Sequence, residues 1–127
     1  MVTIQARLKT VIVGLIVVVL VLGFGSLIGA AVGDITLEGW LIDKCCSGTP
    51  DPVKHTRQCN LMETCAATGY GILVKQTDNS LKFYPFDKTG QQLAKDYLQH
   101  TTRSNNLRIA IKAKWDGNVL SEIVLTE

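Results

Sequence analysis

The chain has 127 residues, 46% of them hydrophobic and 19% charged, and the residues after 32 are a polar-apolar mix long enough for one small domain with one core. All 11 acidic residues, and all of the 13 basic ones except Arg7 and Lys9, fall after residue 32. The downstream domain is therefore formally neutral and gives no electrostatic case for nucleic acid, whose phosphates demand clustered positive charge.

Residues 11–32 form a run of 22 residues without a charge, VIVGLIVVVLVLGFGSLIGAAV. As a helix it is about 33 Å long, enough to cross a hydrocarbon core of about 30 Å. Arg7 and Lys9 precede it, and Asp34, Glu38 and Asp43 follow before the first base, Lys44. Basic flanks stay cytoplasmic. The expected plan is a cytoplasmic amino terminus over residues 1–10, a transmembrane helix or uncleaved signal anchor over 11–32, and an extracytoplasmic domain over 33–127. A cleaved signal peptide gives the same side but a free product, with Gly29, Ala30 and Ala31 as the small-residue cleavage site. Against it, the apolar run exceeds the usual signal core of about 7–15 residues.

The first strand is expected over residues 35–42, with Ile35, Leu37 and Leu41 on one face and Gly39 marking a bend. An irregular loop follows through Cys45, Cys46, Ser47, Gly48, Thr49 and Pro50. Asp51 and Pro52 read as a helix cap and first turn, opening a helical stretch to about residue 67, with Gly69 as its stop. Residues 70–75 and 81–86 form two strands joined by a turn at 77–80, and Pro85 places the second at an edge. Residues 88–99 read as an amphipathic helix burying Leu93, Ala94 and Leu98. Residues 107–114 alternate strictly, and Asp116-Gly117 turns them back into a final strand over 119–125. Five strands with a loop-helix after the first and a helix between the third and fourth is the order of an OB-like barrel. An open α+β sheet is the alternative.

Cys45, Cys46, Cys59 and Cys65 all lie within 21 residues. An even count in a small exported domain suggests disulfides. Adjacent Cys45 and Cys46 are poor partners for each other, so each is expected to pair with Cys59 or Cys65. Such a bond, closing a loop of about 15 residues, contributes about 3 kcal/mol in the chain-entropy picture. A metal site competes. On one continuous helix His55, Cys59 and Met62 share a face at i, i+4 and i+7, and Cys65 reaches its edge. Sulfur with imidazole suits copper(I) or zinc, although the spacing is not that of a standard zinc site. A redox thiol pair is the third reading, without the Cys-x-x-Cys motif that usually carries it.

The residues Gly39-Trp40-Leu41-Ile42-Asp43-Lys44-Cys45-Cys46, then Cys59-x5-Cys65 and Gly69-Tyr70-Gly71, resemble a group of small, uncharacterised exported bacterial proteins with the pattern G-aromatic-x-x-D-x-x-C, C-x5-C and G-Y-G. The likeness covers nearly all of residues 35–126 and implies no activity. It implies that Cys46 occupies the shared position, with Cys45 the additional thiol, which makes Cys46 the expected disulfide participant.

Scattered carboxylates at Glu38, Asp43, Glu63, Asp87 and Asp96 show no acid–base spacing, and no nucleophile elbow is present. No catalytic residue is assigned. His100 fits a helix-end cap, and Tyr70, Phe83, Tyr84 and Phe86 fit packing better than a base-stacking platform. The leading expectation is a non-enzymatic binding or accessory module. It is anchored in the cytoplasmic membrane by one helix, needs no cofactor, and partners a protein in a larger membrane assembly. The alternative is a thiol- or metal-handling protein, a metal chaperone or electron-transfer partner, with copper or zinc held by His55, Cys59, Met62 and Cys65. Paired sulfurs favour the first reading; three or more converging free ligands favour the second.

Overall fold

The computed structural model of the chain describes residues 31–126. Among the described residues no helix is long and apolar enough to cross a membrane. The transmembrane segment expected at 11–32 lies outside them except for Ala31 and Val32, which carry no regular structure.

Five antiparallel strands form one sheet in the order β3-β2-β1-β4-β5. They are β1 (Gly33–Asp43), β2 (Tyr70–Lys75), β3 (Leu81–Pro85), β4 (Arg108–Trp115) and β5 (Leu120–Leu125). The long strand β1 divides its partners. Residues 33–40 ladder with β4, from Gly33 opposite Trp115 to Trp40 opposite Arg108. Residues 40–43 ladder with β2, from Trp40 opposite Leu73 to Asp43 opposite Tyr70. The two ladders overlap at Trp40, next to Gly39, where an added Cβ would meet the backbone carbonyl of Leu73. Only a residue without a side chain allows β1 to bend there from one neighbour to the other. Gly39→Ala should therefore cost about 1–3 kcal/mol, the usual penalty for overpacking, read as a lower denaturant midpoint. An unchanged midpoint would show that the strand can move aside.

The ladder between the first and fourth strands is the one an OB-like order requires, but the expected barrel is not closed. Its edges, β3 and β5, meet only at one parallel bridge between Phe86 and Leu120, beside the bond from Asp87 N–H to the Leu120 carbonyl, 2.9 Å. Two local features stop the ladder there. Pro85 has no N–H to donate. Asp87 then caps the next helix, its side chain accepting from Gly90 N–H at 2.8 Å, so the chain turns away from β5.

That helix, α3 (Lys88–His100), lies across the sheet with Ala94 and Leu98 buried. The core beneath it gathers Leu37, Leu41, Ile72, Ile109, Ile111 and Leu120 with Tyr70, Tyr84 and Phe86. Those aromatics are packing residues, not an exposed platform. His100 Nδ1 pairs with the Asp96 carbonyl at 2.7 Å, the helix-end role expected from its position. At the final hairpin, Asp116 accepts from Asn118 and Val119 N–H, and Gly117 takes φ +97°.

The helical stretch expected over residues 52–67 is broken into three pieces: one 3-10 turn at Pro52–Lys54, α1 (Arg57–Leu61) and α2 (Glu63–Ala66). His55 and Thr56 are extended. Thr56 bridges to Asn105 and uses its hydroxyl to cap α1, accepting from Cys59 N–H at 3.0 Å. Met62 is extended as well, between α1 and α2. Local hydroxyl capping and pairing with the 104–106 loop outweigh helix continuation here. Gly69 ends the segment at φ +89°.

Candidate metal centre

The cysteine-bearing segment is the connection between β1 and β2, and Asp43, the last residue of β1, organises it. Asp43 is fully buried. Its Oδ1 accepts the backbone N–H of Cys46 at 2.9 Å, which closes a turn and explains why the carboxylate stands three residues before the thiol. Further turns follow, with Ser47 N–H to the Lys44 carbonyl and Thr49 N–H to the Cys46 carbonyl. Cys45 N–H donates to Thr68 Oγ1 at 3.0 Å, and the same hydroxyl donates to the Cys65 carbonyl at 2.7 Å. One threonine thus ties the loop after β1 to the end of α2.

Asn60 is the second organiser, buried with no exposure. Its Nδ2 donates to the Leu41 carbonyl, and its Oδ1 accepts from Asp43 N–H at 3.0 Å. Those two backbone partners fix which way the amide points. Its own carbonyl accepts from the Tyr70 hydroxyl at 2.7 Å, linking α1 to β2. Gln91 of α3 continues the chain of contacts, accepting from Tyr70 N–H at 2.6 Å and donating to the Tyr70 and Phe86 carbonyls.

The protonation of His55 follows from this frame. Its Nε2 lies 3.2 Å from Asp43 Oδ2 and 3.0 Å from Asn60 Oδ1. Both partners are acceptors, so Nε2 must carry the proton. Nδ1 is the nitrogen left for another partner. A carboxylate holding one edge of an imidazole while the other edge is free is the orienting arrangement behind many metal-bound histidines.

The four thiols converge. All are free in the structure: Cys45 exposed, Cys46 and Cys59 half-buried, Cys65 buried. The expected disulfide is not formed. The Sγ atoms of Cys46 and Cys59 stand 3.9 Å apart, against about 2.05 Å for a disulfide bond. Two sulfurs each about 2.3 Å from a tetrahedral zinc ion lie about 3.8 Å apart, so the observed contact, the spacing of one thiol donating to another, also fits two ligands of one ion. Cys46, His55 and Cys59 place ligand atoms within 4.8 Å of one another, and so do Asp43, Cys45, Cys46 and Cys65. Cys46 belongs to both groups.

Three of the four residues grouped from sequence, His55, Cys59 and Cys65, lie in this segment beside Cys46. Met62 sits at the break between α1 and α2 and is 53% exposed, because the single helix that put it in register is absent. Asp43, Asn60 and Thr68 were not singled out as site residues. Only the spacing of Asp43 to Cys46 carried a signal, since an Asp can accept the N–H of a following residue.

Burial, and then the charge of Asp43, push the Cys46 thiol pKa well above its ordinary value. Burial likewise raises that of Cys59, and burial with the Asp43 charge raises that of the Tyr70 hydroxyl. A raised thiol pKa means a protonated, unreactive sulfur at neutral pH. Metal-free protein at pH 7 should therefore take up iodoacetamide at exposed Cys45 well before Cys46 and Cys59, whose reaction should rise only in alkaline solution. Peptide mapping of a timed alkylation checks this, and equal rates at the three sites would contradict it.

Comparison with protein-family models, with curated proteins and with solved structures gave no match.

Proposed function

We propose that this chain is a metal-handling protein whose domain binds one thiophilic ion, copper(I) or zinc, outside the cytoplasm, with the apolar run of residues 11–32 anchoring it in the cytoplasmic membrane. The observation that carries the reading is the 3.9 Å spacing of Cys46 and Cys59 sulfurs within a group completed by His55. Cys46, Cys59 and His55 supply two sulfurs and an imidazole nitrogen, and the buried Cys65 supplies the next sulfur. Such a set suits borderline and soft cations and disfavours magnesium or calcium, which prefer oxygen. An ion here also gives the Cys46 and Cys59 thiolates the positive partner that the Asp43 carboxylate denies them. The chemistry is binding and transfer, and no catalytic group is assigned.

The competing reading is an accessory module whose cysteines only staple the loop to the helices. The two differ in one sample: the full chain purified from membranes in mild detergent without reductant. Metal analysis should find copper or zinc at one ion per chain, and intact mass after alkylation in alkaline solution should show the half-buried thiols modified only once the ion is removed. Metal-free protein with a mass lower by a pair of hydrogens would establish a disulfide and overturn the metal reading.

A further inference from the structure

We propose that Cys45 is the exchange ligand of this centre, the thiolate through which a bound copper(I) ion passes to or from a thiol-bearing protein partner. The inference rests on the metal-binding reading above and adds a direction to it. The two donor groups overlap at Cys46 alone: one holds His55 and Cys59, the other Cys45 and Cys65 with Asp43. An ion held by Cys46, Cys59 and His55 can therefore shift toward Cys45 while keeping its bond to Cys46.

The sulfurs are also graded in exposure. Cys65 is buried, Cys46 and Cys59 are half-buried, and Cys45 alone is exposed. A partner's thiol reaches Cys45 first. Its place is built into the fold: its N–H is fixed to Thr68 Oγ1, and that hydroxyl also holds the Cys65 carbonyl. The exposed and buried sulfurs of the second group are thus linked through one side chain.

The step is a ligand substitution without electron transfer. The incoming partner sulfur forms a bond to copper, and the bond from Cys45 sulfur to copper breaks. Copper remains monovalent throughout, and the proton released by the incoming thiol ends on the departing Cys45 sulfur. Repetition at Cys46 and Cys59 completes the transfer, and the reverse sequence loads the domain.

The test uses the full chain in detergent, loaded anaerobically with one copper(I), and a short peptide bearing a Cys-x-x-Cys pair as acceptor. Cys45→Ser and Cys45→Ala should both retain stoichiometric copper. Both should slow transfer to the peptide about tenfold or more, a barrier increase of about 1.4 kcal/mol. Lys44→Ala, the exposed neighbour, should transfer at the unaltered rate. Unchanged transfer in the Cys45 variants would overturn the proposal, and so would their loss of copper, which would make Cys45 a holding ligand. Failure of the unaltered chain to take up copper would overturn the copper reading on which the proposal rests, a result visible before any transfer is measured.

Discussion

Cys46→Ser should remove nearly all metal from the natively purified chain. Cys46 is the one residue common to both donor groups, so no rearrangement among the other sulfurs replaces it. Serine keeps the size and the N–H contact to Asp43 but offers a hydroxyl in place of a soft thiolate. Affinity should fall at least about a hundredfold, beyond the 10–100-fold loss typical of residues that merely support a ligand. Asp43→Asn should fall within that supporting range. An amide in place of the carboxylate gives up the charge that steadies His55, while its oxygen can still accept from Cys46 N–H. Competition with a chromogenic chelator measures both. If Cys46→Ser binds as tightly as the unaltered chain, the sulfurs are not acting as ligands.

Asn60→Ala should be the most destabilising single change in the segment, by about 3–5 kcal/mol, with or without metal. It leaves Asp43 N–H and the Leu41 carbonyl without their partner, each a buried loss of about 1–3 kcal/mol. It also removes one of the two acceptors that hold the His55 ring. Denaturant unfolding followed by tryptophan fluorescence reads the change, and Trp40 on β1 is a suitable reporter. A loss under about 1 kcal/mol would show that water replaces the amide.

The contrast between Cys46 and Asn60 shows what a sequence can disclose. Strands with strict alternation, such as β4, and turns with a chemical signature, such as Asp116-Gly117, are local and were legible. So were the clustering of thiols and the bend at Gly39. The closure of the sheet was not, because it depends on how two edges meet in space, where Pro85 and the cap at Asp87 intervene. The continuous helix expected over residues 52–67 is broken for a related reason. Thr56 and Met62 are compatible with a helix, and only the pairing of Thr56 with Asn105 and the extended backbone at Met62 break it. Asn60 lies in that broken stretch. Its importance comes from partners at 41, 43, 55 and 70, and no spacing pattern marks a residue whose contacts are that dispersed.

Asp43 and Tyr70 sit directly opposite each other in the sheet. Every proposed ligand therefore hangs from a single hairpin connection whose two ends are clamped by the ladder. The sheet carries the apolar core and needs no ion to close it, whereas the connection carries mainly polar ties. Hydrogen exchange should separate the two: chelation should speed exchange of amides in residues 44–69 while leaving those of β4 slow. A connection so bounded can change its thiols by substitution without a new fold, while the bridge from Thr56 to Asn105 keeps it fastened to the loop before β4.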